Sequence, residues 1–237
     1  MQYVVKPNSP LTIEDFWREY RRPLLGFVIF ATNRPQDIPY EVFSSPDSQR
    51  KVVVLHQGRK LYSYDWRPNP GHLLFRADDI DDISDAFIKW IALYKASDPS
   101  VALFCETINQ EDYSPPRFLT LYTAAEGYWR SMRGTTWRAR DLAKELDESV
   151  SKVDKQAVAL IGGLRNYHSH LNPTDLEKSL EPDEVTEIGP LDVAIQTFEA
   201  TRRLQALIQA CLLRDIGLET ARVEELITQH YQAWPLP

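Results

Sequence analysis

Ser114-Pro115-Pro116 constrains the fold of this chain more than any other stretch in it. A serine whose oxygen can accept from the first free backbone N–H groups, followed by a proline whose fixed φ suits the first turn, is a helix start. Phe118, Tyr122, Ala125 and Trp129 then recur at helical spacing, so a helix is expected over about Pro116 to Met132. The same reasoning predicts helices over about Trp137–Leu146, Val153–Leu171, Leu191–Arg214 and Glu219–Tyr231, with the polar, acidic run Asn172–Pro190 as a loop. Helices joined mostly by short connections suit an antiparallel bundle.

The first half reads differently. Thr12, with Asp15 three residues on, opens a helical segment in which Phe16, Trp17 and Tyr20 are apolar. Pro23 interrupts the pattern before Leu24–Ala31 resumes it, which predicts a kink or two successive helices. Proline-marked turns at Pro35, Pro39 and Pro46 bracket β-prone runs at Tyr40–Phe43 and Lys51–Leu55, with Leu73–Arg76 as a third candidate strand. Asp78, Asp79, Asp81, Asp82 and Asp85 form the densest acidic run. They raise the question of a metal site, but they lead into a helix carrying Ile83, Phe87, Trp90 and Tyr94 on one stripe, where carboxylates favour the positive helix end. Ala102–Glu106 reads as a last strand or the start of a linker. The expected class is therefore α+β, with a mixed α/β N-terminal domain over 1–113 and an all-α bundle over 114–237, the boundary falling near Glu111–Ser114.

Charge limits what such a chain can bind. The net charge is -7, which argues against indiscriminate coating of nucleic acid, because phosphate affinity is largely electrostatic. Contact with RNA must then be local. Arg130, Arg133, Arg138 and Arg140 are the one basic cluster without interleaved acids, either a phosphate-contacting patch or a solvated turn. The longest apolar run, Leu24–Ala31, is too short for a membrane span, and the first residues, Met1–Pro7, lack the basic start and long apolar region expected of a secretory signal. Two cysteines in apolar surroundings, Cys105 and Cys211, point to reduced thiols and a cytoplasmic protein without a cysteine-rich zinc site.

The most chemistry-bearing stretch is Arg165-Asn-Tyr-His-Ser-His170. It closes an apolar stripe made of Ala157, Leu160, Ile161, Leu164, His168 and Leu171. At about 100° per residue, Arg165 lies roughly 80° and His170 roughly 140° from the stripe's centre, with Asn166 and Ser169 between. Polar groups thus project away from the core. Pro173 disfavours helix at Asn172, so the helix should end just after His170 and leave its imidazole at a rim.

An arginine, four intervening residues and a histidine at a helix end resembles the active motif of the HEPN superfamily of ribonucleases. The wider run Leu164–Pro173, followed by Leu207–Leu218, resembles its ApeA-like branch, which is associated with bacterial anti-phage defence. The chain before the bundle is similar only to the final portion of the ApeA N-terminal region, so a shortened front domain is expected. The resemblance implies an HEPN-type antiparallel bundle, a homodimer that brings two motifs to one cleft, and cleavage of RNA through a 2′,3′-cyclic phosphate without metal or cofactor. It further implies cytoplasmic action under a phage or host trigger, with no membrane partner. Some HEPN toxins carry a tyrosine two residues after the histidine that a partner enzyme modifies; Asn172 stands there, so that scheme does not carry over.

The residue types fit this chemistry. A histidine titrating near neutrality can move the protons, and a guanidinium fork suits phosphate oxygens. The expected catalytic set is Arg165, His170 and Asn166, the last either orienting the imidazole four residues on or simply facing solvent. Tyr167 lines a cleft, stacks on a base or packs; Ser169 contacts phosphate or ends the helix. Arg130 and Arg133 are the candidate substrate-binding cations. Glu126 is a candidate supporting acid for His170 or Arg165, with an ion pair to Arg130 as its plainer role. His168, on the apolar stripe, is expected to be a satisfied core histidine. Two other classes stay open: a non-catalytic HEPN module that dimerises or binds a partner, and a nucleotide-sensing domain using Arg165 and the arginine cluster. Gly162-Gly163 lies within a helical pattern and offers no phosphate loop.

Overall fold

In the computed structural model the described residues are 9–34, 40–44, 51–55, 73–97, 99–108, 114–134, 155–171, 176 and 189–232. They are mainly helical, with one small two-stranded antiparallel sheet.

Helix α1 (Ile13–Phe16) begins at Thr12, whose Oγ1 accepts from Asp15 N at 3.1 Å. The chain does not simply kink at Pro23. A π-helical turn at Trp17–Arg21 widens the coil, with Arg22 N–H bonded to Trp17 O five residues back, and α2 (Arg22–Thr32) continues from it. A wider turn is one way to seat a proline that lacks an N–H within a helical run. Strands β1 (Tyr40–Ser44) and β2 (Lys51–Leu55) pair in register Tyr40↔Leu55, Val42↔Val53 and Ser44↔Lys51, as the β-prone runs predict.

Leu73–Arg76 is not a strand. Leu74 N and Phe75 N bond to Ala31 O at 2.9 and 3.4 Å, so this segment satisfies a carbonyl left open at the end of α2 instead of joining the sheet. A 3₁₀ turn at Ala77–Asp79 leads to α3 (Ile83–Ala96). The acidic run there divides between capping and pairing: Asp82 accepts from Ser84 N and Asp85 N, Asp79 accepts from Arg76 N and pairs with Arg222 at 2.5 Å, and Asp85 pairs with Lys89 at 2.7 Å.

Ala102–Glu106 is helical, within α4 (Ser100–Ile108), correcting the strand or linker expectation. Val101, Phe104, Cys105 and Ile108 are buried at steps of three and four, a pattern that a short apolar run conceals because every position looks core-like. Four long helices complete the described chain: α5 (Pro115–Arg133), α6 (Lys155–His170), α7 (Pro190–Asp215) and α8 (Thr220–Gln232). Ser114 Oγ accepts from Arg117 N at 3.4 Å to open α5, and Gly134, at φ 64°, closes it in the left-handed region that glycine enters without penalty. The expected helix over Trp137–Leu146 lies outside the described residues, as does most of the loop over Asn172–Pro190.

Helices on both sides of residue 114 share one hydrophobic core. Phe30 and Trp90 are fully buried and stack at 5.0 Å, while Phe27, Phe75 and Phe104 set their edges against them and Phe87 meets Phe27. The core runs on through Phe118, Leu121, Ala125, Leu164, Leu204 and Cys211. Close approach makes this continuity possible. A Cβ on Gly26 would fall 2.9 Å from Tyr94 Cε2, and one on Gly127 would overlap Ser100 Oγ, so α2 and α5 each carry a glycine where a neighbouring helix presses in.

A polar node also ties the front to the bundle. Asn33 caps α2 at φ 47°, and its Oδ1 accepts from Gln205 Nε2 at 2.9 Å and Gln209 Nε2 at 2.8 Å. With that oxygen occupied by two donors, its amide nitrogen faces His230 Nε2 at 2.7 Å, which makes that ring nitrogen the acceptor. Tyr231 donates from its hydroxyl to Gln209 Oε1 at 2.8 Å. Buried amides are thereby satisfied across α2, α7 and α8.

Candidate functional site

Helix α6 ends as its sequence predicts. Leu171 turns into the left-handed region at φ 53°, with its N–H bonded to Tyr167 O at 2.6 Å, two residues before Pro173. The last turn therefore stands at a rim, and the two outermost residues, Ser169 and His170, are exposed.

Helices α5 and α6 lie side by side and antiparallel. Phe118 meets His168 with ring centroids 6.0 Å apart, and one turn on Tyr122 meets Arg165. Arg165 is half-buried, its Cζ 5.8 Å from the centre of the Tyr122 ring. Its Nη1 donates to Asn166 Oδ1 at 2.9 Å. The guanidinium thus has an aromatic ring on one side and a carboxamide at one edge. Asn166 is engaged with the arginine beside it, a different partner from the imidazole that helical spacing suggested.

The two histidines of the motif part company. His168 is half-buried, its Nε2 lies 2.9 Å from Thr197 Oγ1, and burial lowers its pKa below the usual 6.5. The Thr197 hydroxyl donates to Val193 O at 2.7 Å, so its proton is spent and the imidazole Nε2–H must be the donor. His168 is a satisfied core histidine that pins α6 to α7, as its place on the apolar stripe predicts. His170, two residues on, faces solvent. Tyr167 is half-buried and packs against the core, its ring 5.1 Å from that of His168.

Glu126 sits one turn beyond Tyr122 on α5. Its Oε1 pairs with Arg130 Nη2 at 3.0 Å, the plainer of its two expected roles. Its charge still reaches Tyr122. The Tyr122 hydroxyl pKa is pushed up to about 12, chiefly by burial, with Arg165 pulling it down and Glu126 adding to the rise. Arg130 is exposed, and Arg133 is the last residue of α5. Arg138 and Arg140 lie outside the described residues. Among the described residues, no group of three or more histidine, cysteine or acidic side chains is placed to hold a metal ion.

Sequence reasoning missed Tyr122. It appeared there only as one member of an apolar stripe, and its contact with Arg165 depends on how α5 and α6 are paired. Residue identity carries a weak signal: a tyrosine on a core stripe brings a polar tip to the edge of the packed face.

Cys105 is placed for packing. Its thiol donates to Gly26 O at 3.6 Å, and burial raises its pKa well above the ordinary range, so it stays a neutral thiol. No helix among the described residues is long and apolar enough to cross a membrane. Comparison of the chain with family models, with curated proteins and with solved structures returned no match.

Proposed function

We propose that this protein is an HEPN-type endoribonuclease of a defence or toxin system, in which Arg165 and His170 cleave RNA without a metal ion. One observation carries the reading: the last turn of α6 separates its polar residues by task. The guanidinium of Arg165 is held against Tyr122 and Asn166, the imidazole of His170 is exposed, and His168 between them is committed to the core.

On this reading the exposed imidazole takes the proton from the RNA 2′-hydroxyl. The oxygen attacks the adjacent phosphorus, the 5′-oxygen leaves with a proton from a second imidazole, and the guanidinium stabilises the negative phosphorane. The products are a 2′,3′-cyclic phosphate and a 5′-hydroxyl. A second copy of the chain supplies the second histidine, and the exposed Leu171, Leu191 and Ile195, near the same ends of α6 and α7, are apolar surface that such a partner would cover.

The test is RNA degradation by the purified protein in EDTA, with end-group analysis of the products. Cleavage should persist with the chelator and disappear in Arg165→Ala and His170→Ala proteins of unchanged circular dichroism. Equal degradation by wild type and the double variant would instead favour a non-catalytic HEPN module that dimerises or binds a partner. The same exposed leucines and isoleucine, together with the net charge of -7, favour that second reading.

A further inference from the structure

We infer that Tyr122 is a positioning residue for Arg165: the face of its ring, together with the Asn166 carboxamide, holds the guanidinium in one orientation for a phosphate group. The inference rests on the proposed ribonuclease reading for its substrate, but not for its geometry.

Arginine carries a long side chain with large rotamer freedom, and an arginine free to wander at a rim delivers its donors to a phosphate only at an entropic cost. Two contacts remove that freedom. The Arg165 Cζ lies 5.8 Å from the Tyr122 ring centre, within the range in which a cation is attracted to the ring face. At one edge, Nη1 is committed to Asn166 Oδ1 at 2.9 Å. A guanidinium has five N–H donors, so this single bond leaves most of the fork for an anion. The ring is itself firmly placed. Tyr122 is half-buried against the core, tilted against the fully buried Phe118 at 6.4 Å, and Phe118 in turn touches His168, whose Nε2 meets Thr197. A rigid chain of rings and one hydrogen bond thus runs from α7 through α6 and α5 to the guanidinium. The neighbouring acid does not neutralise the fork directly, because Glu126 is paired with Arg130.

The ring face is what matters in this arrangement. Tyr122→Phe should therefore keep RNA cleavage near the wild-type rate, whereas Tyr122→Leu, similar in bulk but without a π-face, should lose on the order of tenfold in rate at saturating RNA. A nitrogen-edited proton spectrum reads the geometry without reference to activity. The Arg165 side-chain N–H resonance, assigned by its loss in Arg165→Lys protein, should be displaced by the ring current in wild type and Tyr122→Phe, and should move to the position of a free arginine in Tyr122→Leu. Displaced resonance with no RNA cleavage would remove the ribonuclease reading and leave the positioning role intact. An undisplaced resonance in wild type, equal cleavage by Tyr122→Leu and wild type, or loss of cleavage in Tyr122→Phe would each overturn the inference; the first needs no variant at Tyr122 to fold.

Discussion

Two polar sites in this protein use the same residue types for opposite ends. At the node around Asn33, an asparagine, two glutamines, a histidine and a tyrosine hydroxyl bond to one another around the fully buried Gln209. At the end of α6, an asparagine and an arginine bond to each other and the nearby His170 imidazole stays in solvent. An interior polar group must spend its hydrogen-bonding capacity on the fold, because leaving it unmet costs about 1–3 kcal/mol. A rim group can keep capacity in reserve, because water meets the need until a ligand arrives. The difference between structural and chemical polarity is thus one of exposure, not residue type.

The contrast breaks most visibly at the rim. On the proposed ribonuclease reading, Arg165→Ala or His170→Ala should lower RNA cleavage by about 10²- to 10⁴-fold, the range of a lost acid–base or charge-stabilising group, while unfolding stability changes by about 1 kcal/mol or less. Titration with urea alongside the cleavage assay checks both halves. A large stability loss would place these residues with the structural node.

Asn33→Gly should do the reverse. Glycine keeps the left-handed backbone at φ 47°, so the change removes the carboxamide alone and leaves Gln205 and Gln209 without their acceptor. A loss of about 2–4 kcal/mol in chemical denaturation is expected, with the cleavage rate per folded molecule unchanged.

His168 sharpens the comparison within the motif itself. Its pKa is lowered by burial, so below the usual 6.5 the unfolded chain takes up a proton more readily than the folded one. Stability should therefore fall as pH drops from about 6.5 toward the lowered value, and level off below it. His168→Gln, which keeps a donor toward Thr197, should show less of this acid dependence than wild type in thermal melts from pH 7 to pH 5. Equal slopes would mean that His168 is as open to solvent as His170.

The smallest effect belongs to Glu126 and Arg130. Their pair is solvent-screened and one helical turn apart, so Glu126→Gln should cost only about 0.3–0.5 kcal/mol in a urea titration. A larger loss, or a changed pH profile of cleavage, would give Glu126 the supporting role at Arg165 instead of the pairing role.

Much of this was legible in the chain. Ser114-Pro115-Pro116 announces α5, Pro173 stops α6, and the acids before Ile83 mark the start of the helix that Asp82 caps, because each of these acts within a turn or two of itself. Within the motif, the apolar stripe separates His168 from His170 without any knowledge of the partner helix. Legibility failed where a short apolar run matched two periods at once, as at Ala102–Glu106, or where a backbone donor had a distant carbonyl to satisfy, as at Leu74.

Local periodicity determined the four long helices α5 to α8, where α6 ends and which face of it carries the polar groups, since these follow from dihedral preferences and a fixed 100° step. Only the tertiary structure decided that Tyr122 lies against Arg165, that Asn33 is bonded to two glutamines more than 170 positions away, and that one core runs past residue 114. Those outcomes depend on which helices touch and at what depth. A glycine at Gly26 or Gly127 permits such an approach, but a single sequence does not say which neighbour will use it.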